Sequence, residues 1–206
     1  LSLLPHYMER SISSMVNMHD RLVAAGEGGG VSLYDYRTLV QSREGAAAGG
    51  RSVRLWGVSF ALWELAEQYR FSFPGLTVME TGGMKGRREE ITRQELHGIL
   101  CDSFGVDRIH SEYGMAELLS QAYSAGEGIF RSPAWMEIRI RDTYDPLQPL
   151  PAGRTGGVNV IDMANRYSCS FIETQDLGVR YSDGSFRIQG RFDKSEIRGC
   201  NLLVAE

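Results

Sequence analysis

Lysine is almost missing from this chain: of 22 basic residues only Lys85 and Lys194 are lysines, and the rest are arginine. Acidic residues number 26, which leaves a formal net charge of −4 and no basic excess with which to grip nucleic-acid phosphates. Long hydrophobic runs are missing too. The apolar stretches fall far short of the roughly 20 residues that a bilayer-spanning helix needs. No positively charged, apolar leader opens the chain, which argues against export. Cysteine is scarce, and Cys101, Cys169 and Cys200 are odd in number and widely spaced. That arrangement fits neither a disulfide framework nor a metal site and suits a reducing cytoplasm, the expected location. His6, His19, His97 and His110 are scattered and form no metal spacing. No Gly-x-Ser-x-Gly elbow and no internal repeat occur. The run Gly26 to Gly30 is not a phosphate loop, because no Lys-Ser or Lys-Thr follows it and it closes a helical pattern instead of opening one.

What remains is an ordinary globular composition. A hydrophobic fraction of 42% over 206 residues allows one large or two small domains with a real core. The opening Leu1-Ser2-Leu3-Leu4-Pro5 carries neither an initiator methionine nor a cap signal, so the expectation is a fragment or the processed C-terminal part of a longer chain. Apolar spacing predicts a helix within residues 5–25 and a second over Asp35–Arg43, followed by an Ala/Gly loop over Gly45–Gly50. From residue 51 strand and helix alternate. Strands are expected over Val53–Val58, Leu76–Glu80 and Arg108–Glu112. Helices are expected over Ala61–Arg70, over Thr92–Phe104 behind a capping-box signal, and over Glu117–Ser124. This alternation predicts a parallel sheet with crossover helices, whose ligands collect beyond the carboxyl ends of the strands. After Phe130 the pattern turns β-rich, through Trp135–Arg141, Gly157–Ile161 and Phe171–Thr174. Val179–Tyr181 and Phe186–Gln189 then flank an Asp183-Gly184 hairpin turn. The fold class is therefore α/β, with an α/β part over residues 1–130 and a mostly antiparallel β subdomain over 131–206.

Several residues in this frame could carry chemistry. A glycine after a strand, as at Gly82, Gly83 and Gly114, lets backbone approach a ligand, and the Tyr113 ring could stack on a purine. Glu117, one turn into the expected helix, could hold a hard cation or simply complement the helix dipole. Asp176, read in a strand-to-turn segment, could accept two ribose hydroxyls or bond its own turn backbone. Arg191 could fork onto phosphate or ribose, or form a surface ion pair with Asp193. Cys200, flanked by Arg198 and Asn201, is either an activated thiol or a small buried strand residue. The residues alone leave each pair of readings open.

Their order is more specific than any one of them. Glu112-Tyr113-Gly114-Met115-Ala116-Glu117, Thr174-Gln175-Asp176-Leu177-Gly178, Asp183-Gly184, Gly190-Arg191-Phe192-Asp193 and Arg198-Gly199-Cys200-Asn201 together resemble the nucleotide-binding half of adenylate-forming enzymes. The stretches Pro5–Ser11, Gly57–Ala61, Glu80–Arg87 and Gly190–Leu203 are further similar to the bacterial acyl-protein synthetases of the LuxE type. The resemblance implies ATP and Mg²⁺, with Tyr113 on adenine beside Gly82 and Gly83, and Glu117 toward the metal. It also implies Asp176 on ribose, Arg191 on the nucleotide and Asp193 at a hinge. It implies activation of a fatty acid as acyl-AMP, transfer to Cys200 as a thioester, and delivery to a reductase partner. Ala116 departs from the pattern, which has a threonine hydroxyl there, and the family's phosphate loop is expected upstream of residue 1. An aryl- or acyl-CoA ligase and a non-catalytic reductase-docking module are the rival readings.

Overall fold

A computed structural model describes residues 1–4, 14–25, 31–32, 50, 52–72, 74–82 and 91–192. The expected helix over 35–43, the first part of the 5–25 helix, Gly83, Asp193 and Cys200 lie outside these residues. The chain forms two compact units. The first holds Leu1–Ala116 and Tyr123–Gly128, the second Glu117–Ala122 and the described residues from Ile129 onward.

In the first unit, strands β1 (Ser2–Leu3), β2 (Val31–Ser32), β3 (Val53–Val58), β4 (Leu76–Thr81) and β5 (His110–Tyr113) form a parallel sheet in the order β2-β1-β3-β4-β5. Helix α1 (Ser14–Ala25) lies between β1 and β2 in the chain. Helices α2 (Ser59–Gln68) and α3 (Arg93–Phe104) are the crossovers that parallel strands require. Their apolar faces, through Leu62, Leu65, Leu96, Leu100 and Phe104, bury Leu55, Val58 and Val78 of the sheet. The capping box at α3 is present as expected: Thr92 accepts from the Glu95 N–H, and the Glu95 carboxylate accepts from the Thr92 N–H. Helix α2 begins two residues earlier than its pattern suggests. Strand β3 runs straight into it, and Ser59 caps nothing because its hydroxyl is engaged elsewhere.

In the second unit, β7 (Phe130–Arg131), β8 (Met136–Arg141), β9 (Thr155–Asp162), β10 (Phe171–Arg180) and β11 (Phe186–Arg191) pair antiparallel in the order β7-β11-β10-β9-β8. Alternation sets the core face: Met136, Ile138 and Ile140 point inward while Glu137 and Arg139 are exposed. Phe130 and Phe186 stack with ring centroids 5.5 Å apart. The Asp183-Gly184 turn joins β10 to β11, with Gly184 at φ +83°. This architecture is the α/β fold expected from the sequence, parallel first and antiparallel after.

Two local expectations are corrected. No helix forms over 117–124; the segment is a turn that leads into strand β6 (Ala122–Ser124). The reason lies about forty residues downstream, where the Asp162 carboxylate takes the Leu119 and Ser120 N–H groups at 3.0 and 2.9 Å. A helix needs its backbone groups for its own ladder, and here they are taken by a buried side chain. The segments expected over Phe171–Thr174 and Val179–Tyr181 are one continuous strand, so Asp176 sits within β10 and not at a turn. Among the described residues, no helix is long and apolar enough to cross a membrane.

Candidate functional site

The first unit gathers polar groups where β3, β4 and β5 end. Glu80 is buried, with a side chain 4% exposed. Ser59 Oγ, at the start of α2, lies 2.8 Å from Glu80 Oε2 and 3.0 Å from the Gly82 carbonyl oxygen, so its one proton is shared between them. On the other carboxylate oxygen, Arg93 Nε approaches to 3.5 Å and His97 Nε2 to 3.6 Å, both from α3. The His97 separation exceeds hydrogen-bond length. Burial pushes the Glu80 carboxyl up, but His97, Arg93, Ser111 and Ser59 outweigh it and hold it below the ordinary range. One register step away, Thr81 Oγ1 donates to Glu112. Burial raises Glu112, the Thr81 hydroxyl opposes that rise, and the nearby Glu80 charge adds to it. Two neighbouring carboxyls thus titrate in opposite directions, an arrangement common at functional sites.

Of the residues expected to meet a nucleotide base, Gly82, Tyr113 and Gly114 sit at the same strand ends. Thr81 is in register with Glu112, so Gly82 and Tyr113 are the next residues on adjoining strands. Gly82 is exposed and takes φ +72°, a left-handed conformation that favours glycine. Tyr113 is half-buried and Gly114 exposed. Sequence reasoning missed Ser59, Glu80, Arg93, His97 and Glu112. For Ser59, Glu80 and Glu112 the available signal was their place at or beside strand ends; Arg93 and His97, on α3, carried no such mark.

In the second unit, Asp176 and Arg191 come together. They face each other across β10 and β11, with Arg191 Nε 3.6 Å from Asp176 Oδ1. The Arg191 side chain is 74% exposed and that of Asp176 only 15%, which leaves the guanidinium in water and the carboxylate sheltered. Glu117 is exposed, and its carbonyl oxygen accepts from Asn165 Nδ2 at 2.6 Å. Its backbone is pinned while its carboxylate faces solvent. Asn165 also donates to the Cys169 carbonyl, and Trp135 Nε1 donates to Ser120 Oγ at 2.9 Å. No cluster of three or more metal-ligating side chains occurs among the described residues. A single exposed carboxylate fits Mg²⁺, which keeps several waters and takes its other ligands from phosphates. Of the other cysteines, Cys101 has its thiol raised by burial and Cys169 is exposed.

The model of the family "Acyl-protein synthetase, LuxE" matches residues 42–206. The chain belongs to that family. It is also 28% identical over 142 residues to the long-chain-fatty-acid–luciferin-component ligase of Vibrio harveyi, which covers 64% of this chain and 37% of that protein. The chain therefore spans little more than a third of that relative. Among solved structures, ATP-bound MatB from Rhodopseudomonas palustris superposes with a TM-score of 0.62 at 17% identity, covering 92% of this chain and 40% of MatB. O-succinylbenzoate coenzyme A synthetase (MenE) from Bacillus subtilis, in complex with AMP, gives 0.56 at 19% identity, covering 80% and 35%. At such identities the likeness establishes the adenylate-forming fold of this LuxE-family chain.

Proposed function

We propose that this chain carries the nucleotide-binding and acyl-accepting part of an acyl-protein synthetase. What supports the reading most is that the family match covers residues 42–206 and so includes Gly82, Gly83, Tyr113, Gly114, Glu117, Asp176, Arg191 and Cys200. ATP and a fatty acid are the substrates of the first step. A carboxylate oxygen attacks the α-phosphorus, pyrophosphate leaves, and an acyl-AMP anhydride forms. In the second step the Cys200 thiolate attacks the acyl carbon, AMP leaves, and a thioester forms on the protein. A reductase partner then takes the acyl group. The reducing cytoplasm is the compartment that keeps such a thiol free.

The roles follow from chemistry at each position. Asp176 accepts the two ribose hydroxyls, and the sheltered carboxylate is suited to it because hydrogen bonds to a charged acceptor are strong. Arg191, solvated and opposite Asp176, forks onto ribose or phosphate oxygens. Tyr113 packs on adenine, and Gly82, Gly83 and Gly114 let backbone come close. Glu117 holds Mg²⁺, which would neutralise phosphate charge during activation. Ala116 offers no hydroxyl to phosphate, so that contact is absent. Cys200→Ser is expected to retain ATP- and fatty-acid-dependent pyrophosphate release. It should form no acyl adduct labile to neutral hydroxylamine, which cleaves thioesters and spares oxyesters. A labile adduct in the variant would rule out Cys200.

A further inference from the structure

Strand β10 does not pair evenly with β9. Glu173 is in register with Asn159 and Leu177 with Gly157, so Thr174, Gln175 and Asp176 stand opposite Val158 alone. Two extra residues are thus looped into β10, and Asp176 is the last residue of that bulge. Bulges re-aim side chains, and an irregular backbone persists only where its polar groups find partners.

Arg141 supplies the partner of the Thr174 carbonyl, as the Phe192 N–H does for the Gln175 carbonyl. It ends β8, where the in–out alternation fails and its side chain turns inward, leaving the residue 7% exposed. Nη1 donates to the Val158 carbonyl at 3.0 Å and to Asn159 Oδ1 at 2.6 Å. Nη2 donates to the Thr174 carbonyl at 2.8 Å and pairs with Glu173 Oε1 at 3.2 Å. The guanidinium crosses directly over Gly157, where a Cβ would lie 2.5 Å from Arg141 Cζ. Thr174 completes the arrangement: its hydroxyl donates to the Val158 carbonyl at 2.8 Å and accepts from the Asp176 N–H at 3.1 Å. Arg141 therefore holds Thr174, and Thr174 holds the backbone of Asp176. Only a planar fork of several donors can serve these acceptors on two strands at once, and a lysine cannot replace it.

We infer that Arg141 is a positioning residue for nucleotide recognition, fixing through the Thr174 bulge the direction in which Asp176 presents its carboxylate. The inference rests on the reading of Asp176 as the ribose acceptor. Arg141 touches no reacting atom and contributes through geometry alone.

The test compares ATP with 2′,3′-dideoxy-ATP in the pyrophosphate-release assay on the intact protein. The wild type is expected to prefer ATP by roughly tenfold or more, as losing hydrogen bonds to a charged group implies. Asp176→Ala should bring the ratio of KM values close to one. Arg141→Lys and Thr174→Val, shown to be folded by circular dichroism, should do the same while leaving Asp176 in place. If Arg141→Lys does not fold, Thr174→Val decides, because it cuts the link to Asp176 without stranding a buried charge. Slower turnover of both nucleotides with the preference intact would overturn the inference. A preference that survives Asp176→Ala would instead overturn the ribose reading, and the inference with it.

Discussion

Asp162→Ala is expected to lower the free energy of unfolding by about 4 kcal/mol, a loss set by stranded donors and not by lost contact area. Asp162 is fully buried, and its two oxygens accept four hydrogen bonds: Oδ2 from Leu119 N and Ser120 N, Oδ1 from Ser120 Oγ and Ala164 N. Alanine removes all four acceptances, and the buried Ser120 keeps a donor with nowhere to go. Water entering the vacated space moderates the cost, which keeps the figure well below the sum of four separate penalties. Because the same carboxylate fixes the backbone just after Glu117, the proposed Mg²⁺ ligand, the variant should also raise the Mg²⁺ concentration that pyrophosphate release requires. Urea denaturation of wild type and variant checks the stability. A loss below about 1 kcal/mol, the size of a surface substitution, would show that the site is wet or that its donors find other acceptors.

Glu80→Gln should cost about 3 kcal/mol at neutral pH, the low end for breaking a buried ion pair. The low end applies because Arg93, with a side chain 35% exposed, can turn to water, whereas His97 at 13% has less freedom. The amide keeps the shape of the carboxylate but removes its charge, and it can offer only one oxygen where the carboxylate offers two. The pH dependence carries a definite sign. The folded-state carboxyl of Glu80 titrates below the ordinary value, so its contribution is present above the usual carboxylate range and is lost as pH falls through the folded value. The gap between wild type and variant should therefore be full at neutral pH and narrow in acid. A gap that stays constant would mean that shape, not charge, sets the stability. A gap that widens in acid would contradict the sign of the shift.

The sequence made the parallel half legible wherever an element decided its own conformation. The strand Val53–Val58 agrees residue for residue, and the Thr92–Glu95 capping box and the Asp183-Gly184 turn lie where short-range chemistry puts them. It failed where a distant group intervened. The 117–124 helix is lost to Asp162, which no window around residue 120 contains. Asp176 reads as a strand-to-turn residue because the bulge that contains it exists only relative to β9, and it is held by an arginine from β8. Strands as short as Ser2–Leu3 and Val31–Ser32 carry no periodicity to read.

The candidate site divides in the same way. The residues proposed to face the ligand stand in motifs that can be read locally. Their supports, Ser59 and Glu80 behind Gly82 and Arg141 behind Asp176, became visible only once sheet register was known. A single glutamate or arginine in a strand has no distinguishing mark in sequence. Burial beside a second strand gives it one.

Acyl transfer to Cys200, as proposed, can be read by mass spectrometry of the intact protein and its peptides after mixing with myristoyl-AMP, with and without coenzyme A. Supplying the adenylate isolates the transfer step from activation. The expected result is an acyl mass on the peptide containing Cys200, formed without coenzyme A and removed by neutral hydroxylamine. Myristoyl-coenzyme A forming with no acyl mass on any peptide would contradict it and identify a coenzyme A ligase instead.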